Sequence, residues 1–299
     1  MYPMTFTEFL LADGQENLVE YMNSITKIEK IPDIIFSKLN EKLKSYYIIG
    51  GMPEVVRAWV ETKDIEVVNK IQKQILNGYE DDFGKHTDTA TMQSKISIIW
   101  ESIISQLSKE NKKFLYQVAK EGARAREYED AVDWLNNANI VSKIFNVTKA
   151  KLPLNAYTDL SSFKLYMSDV GLLRRKTGLD SRIVIEGNRL FEEFKGALTE
   201  NYILNMLMFK FENKPNYYVF DRHEIDFIIQ YQNEIIPIEV KSGESVTGVS
   251  LTRYNELNEN KIAVRFSTKN LDKSGKILNI PIFMVEYVDK LIEVAQEGK

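Results

Sequence analysis

Four residues in the C-terminal third of the chain have the types and spacing of a hydrolytic metal site. The stretch EIDFIIQYQNEIIPIEVKSG, residues 224–243, reads as two apolar strands around a short turn, and each strand carries charge. Asp226 interrupts the run Ile225-Phe227-Ile228-Ile229, while Glu239 and Lys241 flank Val240 just after Ile235-Ile236-Pro237-Ile238. With the turn centred on Gln232-Asn233, Asp226 falls opposite Glu239, and directly opposed residues hold their Cβ atoms about 4.5–5.5 Å apart. Period-two alternation puts Glu239 and Lys241 on one face. Two opposed carboxylates in apolar surroundings repel, and burying either without a partner is costly. A divalent cation between them resolves the conflict. Carboxylate oxygens suit Mg²⁺ or Mn²⁺, which keep waters and accept phosphate oxygens. Lys241 is then placed to orient or deprotonate a water, or to stabilise developing charge on phosphorus.

A fourth group fits the same picture. Glu200, in FKGALTENYILNML, has Gly196, Ala197, Ile203 and Leu204 three and four residues away, so its helix face points at the sheet. The expectation is a metal shell of Glu200, Asp226 and Glu239, with Lys241, Asp226 and Glu239 carrying phosphodiester hydrolysis. Glu-x-Lys on a strand equally describes a half-exposed ion pair contributing less than about 1 kcal/mol. An odd-length loop or a bulge would also spoil the register.

The elements that must position these groups follow from periodicity. Residues 188–212 form one long helix, followed by strands at 216–220, 224–231 and 235–241 and a helix over 248–258. Further strands are expected at 261–268 and 280–288, and 286–296 ends helical. Helix, three strands, helix, strand is an α/β sandwich layout. Upstream, residues 5–90 are helical, with Thr5 or Thr7 capping a first short helix and Gly50-Gly51 breaking the chain before Pro53 starts the next. Between these regions, helices near Ile96–Leu107, Lys113–Lys120 and Glu127–Ala138 precede strands at 140–147 and 154–158, which is the plan of a winged helix. His86, in DDFGKHTDT, sits in an expected linker.

Lys109, Lys112, Lys113, Arg124 and Arg126, with Lys149 and Lys151 in the turn of the ribbon, make a basic patch suited to phosphates or, equally, a solvated helix face. The third helix carries Glu127, Glu129, Asp130 and Asp133, which suits a protein contact better than a DNA groove. The net charge of −4 points the same way. With no cysteine there are no disulfides, thiolate metal ligands or cysteine nucleophiles, and two histidines exclude a His-rich site. No apolar run of eighteen residues and no signal sequence occurs, so the expectation is a cytoplasmic protein without a membrane partner.

Glu on the first helix, Asp on the second strand and Glu-x-Lys on the third resemble the PD-(D/E)XK, or restriction-endonuclease-like, nuclease fold. Glu200, Asp226, Glu239 and Lys241 are the matching positions, with Ile225 where the proline of that name would fall. MYPMTFTEFL (1–10), YYIIGGMPEVV (46–56), FKLYMSDVGLL (163–173) and the hairpin resemble, in order, the part of prokaryotic AAA-superfamily ATPases that follows the nucleotide-binding core. The resemblance implies a helical segment (1–92) following an absent ATPase core, a winged helix (93–160) and a nuclease-like domain (161–299). No G-x-x-x-x-G-K-[ST] loop occurs, so no ATP binding is expected from this chain. The function implied is a Mg²⁺-dependent nuclease acting on DNA. The alternative is a non-catalytic DNA- or protein-binding module that regulates a P-loop ATPase.

Overall fold

A computed structural model describes residues 3–85, 89–109, 112–186, 189–243 and 248–297, and His86 lies outside them. The N-terminal half is helical: α1 (Phe6–Ala12), α2 (Glu16–Ser24), α3 (Asp33–Ile49), α4 (Pro53–Thr62), α5 (Ile65–Lys85), α6 (Ala90–Leu107), α7 (Tyr116–Ala119) and α8 (Ala125–Asn137). Strands β1 (Val141–Val147) and β2 (Thr158–Met167) follow, then α9 (Val170–Thr177), α10 (Ser181–Glu186) and α11 (Arg189–Lys210). The C-terminal part adds β3 (Asn216–Phe220), β4 (His223–Tyr231), β5 (Glu234–Lys241), α12 (Val249–Leu257), β6 (Ala263–Ser267), β7 (Asp272–Ser274), β8 (Ile277–Pro281) and α13 (Val288–Glu297). All eight strands join one mixed sheet in the order β2-β1-β3-β4-β5-β6-β8-β7. The α/β layout expected from the sequence is the fold observed.

Helices α6, α7 and α8 precede an antiparallel β1–β2 ribbon, near the positions expected for three helices and a first strand. The ribbon differs in detail. Residues 154–157 form a 3-10 turn, and the second strand runs from 158 to 167 because Phe163, Leu165, Tyr166 and Met167 are the residues that reach the core. The expected boundary at 160/161 therefore falls inside β2, and the ribbon and the C-terminal strands share one sheet. The strand expected over 280–288 instead ends at Pro281 and continues as a 3-10 segment. Proline has no N–H to give a ladder and so closes the strand.

Two of the quoted motifs are packed against each other. Thr5 and Glu8 make a reciprocal capping box on α1. Gly50 ends α3 at φ +75° and Pro53 opens α4. Asp169 caps α9 through Leu172 N–H at 2.8 Å and, from the other side, accepts Gly51 N–H at 2.7 Å. The approach leaves no room for a side chain: a Cβ on Gly50 would lie 2.2 Å from Asp169 Oδ1, and one on Gly171 would lie 2.5 Å from Gly50 N. Burial pushes the Asp169 carboxyl up to about 6, against the lowering effect of the backbone N–H groups that surround it. Nearby, the buried Arg174 reaches Ile48 O, Asn69 Oδ1 and Gln72 Oε1, while Gln72 Nε2 donates to Ile48 O and Ile49 O. These bonds satisfy carbonyls that the end of α3 leaves without helical partners. Asp169→Ala removes a cap and strands a buried N–H, so it should cost about 3 kcal/mol. Asp169→Asn, which keeps an acceptor, should cost less than half of that. Urea unfolding of the two variants beside the wild type measures both.

Candidate functional site

The hairpin forms in the expected register. Phe227 pairs with Ile238, Ile228 with Pro237, Ile229 with Ile236 and Tyr231 with Glu234. On its other edge, β4 carries a bulge. Asn216 pairs with Ile228 and Tyr218 with Ile225, so Asp226 and Phe227 together oppose Tyr217. The bulge changes which way each side chain faces. Phe227, Ile229, Ile236, Ile238 and Val240 pack with Leu198 and Tyr202 of α11, whereas Ile225 and Ile228 pack with Leu251 and Tyr254 of α12.

The four charged groups consequently divide. On the α11 side, Glu200 is buried; its Oε1 is held by the Lys112 ammonium and its Oε2 accepts the Tyr166 hydroxyl at 3.1 Å. Lys164 of β2, 1% exposed, pairs with Glu224 and lies 4.8 Å from the centre of the Tyr217 ring. Asp226 faces this cluster, and its Oδ2 accepts Val240 N–H at 2.7 Å, where the β4–β5 backbone pairing has ended. On the α12 side, Glu239 is 3% exposed and pairs with Lys241 at 3.0 Å. Its register neighbour on β6 is Arg265. A Cβ on Gly248 would lie 2.5 Å from Glu239 Oε2 and 2.9 Å from an Arg265 guanidinium nitrogen, so glycine lets the start of α12 close over this pair.

The electrostatics follow the same division. Burial and then repulsion from Glu200 push the Asp226 carboxyl up to about 7, with Lys164, Lys112 and the Val240 N–H working in the other direction. Burial opposes the charge on Glu200 as well, yet Lys112 and Lys164 hold its carboxyl below the usual range. Lys164 loses hydration, but Glu224, Glu200 and Asp226 outweigh that loss and raise its ammonium. Glu200 thus stays ionised while Asp226 keeps its proton through mildly acidic pH.

As arranged, the donors do not fit a shared divalent cation. Both oxygens of Glu200 are engaged by protein groups, and Glu239 lies across the sheet from Asp226. Among the described residues no group of three or more His, Asp or Glu side chains could hold a metal ion. Of the basic residues, Lys112 is half-buried and pairs with Glu200. Lys109 and Lys113 are half-buried, while Arg124 and Arg126 at the start of α8, and Lys149 and Lys151 between β1 and β2, are exposed. Lys164, Tyr166, Glu224 and Arg265 belong to the two clusters and were not anticipated. A lysine inside FKLYM, otherwise a core strand, was the available signal for Lys164.

Two family models match. Residues 40–182 are similar to a domain of unknown function, DUF8612, and residues 195–283 to a second, DUF4143. The latter is a domain found in C-terminal regions of AAA-type ATPase-like proteins. Residues 183–194, downstream of the ribbon, lie between the two matches. No curated protein and no solved structure matches the chain. Among the described residues no helix is long and apolar enough to cross a membrane.

Two outcomes follow for the α11-side cluster. The side chains of Lys112 and Glu200 are 12% and 10% exposed, so Lys112→Met leaves a buried carboxylate without its partner and should cost about 3–5 kcal/mol. The Lys112→Met/Glu200→Gln double variant should recover more than half of that in chemical denaturation. The second concerns pH. The native Asp226 carboxyl is raised from 3.8 to about 7, so the folded state keeps a proton that the unfolded chain has released. That contribution is present below about pH 4 and is lost as pH rises to about 7. Asp226→Asn should therefore gain on the wild type from pH 5 to about pH 7 and level off above it when melting temperatures are compared. Parallel curves would mean that the carboxyl titrates normally.

Proposed function

We propose that this chain is a non-catalytic interaction module that regulates a P-loop ATPase, chiefly through protein contacts. The observation that carries this reading is the separate neutralisation of the four charged groups. Glu200 is paired with Lys112 on one side of the sheet, where Asp226 is carried with its proton through mildly acidic pH, and Glu239 is paired with Lys241 on the other. Charges balanced from within need no metal, and an activated water has no shared centre to bind. The similarity of residues 195–283 to a domain of ATPase C-terminal regions supports the choice of partner. The exposed Glu127, Glu129 and Asp130 on α8 disfavour insertion of that helix into a DNA groove.

One observation favours a second reading. Glu239 Oε2 is buried without a hydrogen-bond partner, an atom that a bound cation or substrate group would satisfy. In that reading the C-terminal strands are a Mg²⁺- or Mn²⁺-dependent nuclease of the restriction-endonuclease-like kind acting on DNA, centred on Glu239 and Lys241.

Calorimetric titration with Mn²⁺ and Mg²⁺, on the wild type and on Asp226→Ala and Glu239→Ala, separates the two. The interaction module should show no binding tighter than millimolar and no cleavage of duplex, single-stranded or branched DNA. Micromolar binding abolished by Glu239→Ala, with cleavage, would replace it with the nuclease.

A further inference from the structure

The eight-stranded sheet has an unevenly bonded line through it. The β4–β5 hairpin is joined by five consecutive residue pairs and β5–β6 by four. Strands β1 and β3 are joined by two, Asn146 with Tyr217 and Val147 with Tyr218. Register shifts flank this short contact on both sides, between Phe145 and Asn146 on β1 and between Asn216 and Tyr218 on β3. The Asn146 side chain accepts Val219 N–H at 3.1 Å in place of a further backbone bond. Where β1 and the chain leading into β3 diverge, a cavity of about 560 Å³ opens, lined by Asn136, Asn139, Val141, Ser142, Asn205 and Phe209.

Several side-chain contacts across this line are polar, beside the packing of Tyr166 on Phe227. Ser162 and Tyr217 share a hydrogen bond of 2.8 Å, Lys164 pairs with Glu224, and Lys112 and Tyr166 both reach Glu200. Val147 and Leu154 add apolar contacts with Ile225 and Ile228. Polar pairs can exchange for water on separation, whereas apolar ones lose their stabilisation outright, so polar interfaces mark places where parts of a chain move relative to one another. At the far end of β2, Met167 N–H donates to Asn201 Oδ1 at 2.8 Å, and Met167 O accepts from Asn201 and Asn205. That end of the ribbon is tied to α11 through the side chains of Asn201 and Asn205.

We propose that the β1–β3 line is a conformational seam. The ribbon opens from β3–β8 about the Met167–Asn201 anchor, and the Lys112–Glu200 and Lys164–Glu224 pairs latch it shut. The inference stands on pairing and packing and does not depend on the proposed function.

Amide hydrogen exchange on the full chain tests it. In the wild type, amides of 146–147 and 216–220 should exchange at least about ten-fold faster than those of 227–231 and 235–240. Ser162→Ala, a mild change that removes one latch hydrogen bond, should speed exchange in β1, β2 and 216–220 by about three-fold or more and leave β4–β6 unchanged. Lys112→Met should act in the same direction and more strongly if it folds. Equal protection on both sides of the line, or a uniform acceleration across the chain in Ser162→Ala, would overturn the seam.

Discussion

A charge brought into a protein interior must find its counter-charge there, and the middle of this structure is arranged around that requirement. Glu200 enters the core on α11 because its neighbours along the helix are small or aliphatic. Once inside, it needs the Lys112 ammonium from the segment joining α6 to α7 and the Tyr166 hydroxyl from β2. Lys164 is drawn in by the same strand and needs Glu224. Each pair connects an element of the region matched at 40–182 to one of the region matched at 195–283. The electrostatic requirement therefore holds the two regions in one sheet more specifically than aliphatic packing would. Leaving any of these charges alone costs several kcal/mol, whereas a slipped aliphatic contact costs a fraction of that.

A second constraint is steric. The chain reversal at Gly50-Gly51 lies so close to Asp169 and Gly171 that only glycine fits at Gly50 and Gly171. The close approach turns Asp169 into a shared acceptor for two elements and places α3 and α9 side by side. The aromatic cluster of Phe6, Phe9, Tyr46, Tyr47 and Tyr202 then closes the space between α1, α3 and α11, ring edge largely to ring face. Motifs far apart in the chain thus meet at one place, and their glycines and aspartate serve that close approach.

Much of the fold was legible beforehand. The three central strands, the long α11 and the helix after the hairpin appear within a residue or two of where periodicity placed them. So does the hairpin register, because Gln232-Asn233 sets the turn and alternating apolar residues set the pairing. The second ribbon strand and the end of β8 were misplaced. In the ribbon, the core-facing residues come later than the apolar spacing suggested. At β8, Pro281 stopped a strand whose side chains alone would have continued it.

The site shows where reading a sequence ends. From the residues alone it was determined that Asp226, Glu239 and Lys241 would lie on adjacent paired strands, and that Glu200 would face inward from a helix. Only the tertiary structure decided which side of the sheet each would face. A single extra residue, the bulge at Asp226-Phe227 opposite Tyr217, reverses the alternation along β4 and sends Asp226 toward Glu200 while Glu239 stays with Arg265 and Lys241. The bulge arises between β3 and β4, where β4 must match both a hairpin partner and a strand that also pairs with β1. That competition between neighbouring ladders is non-local, and no spacing within the hairpin itself records it.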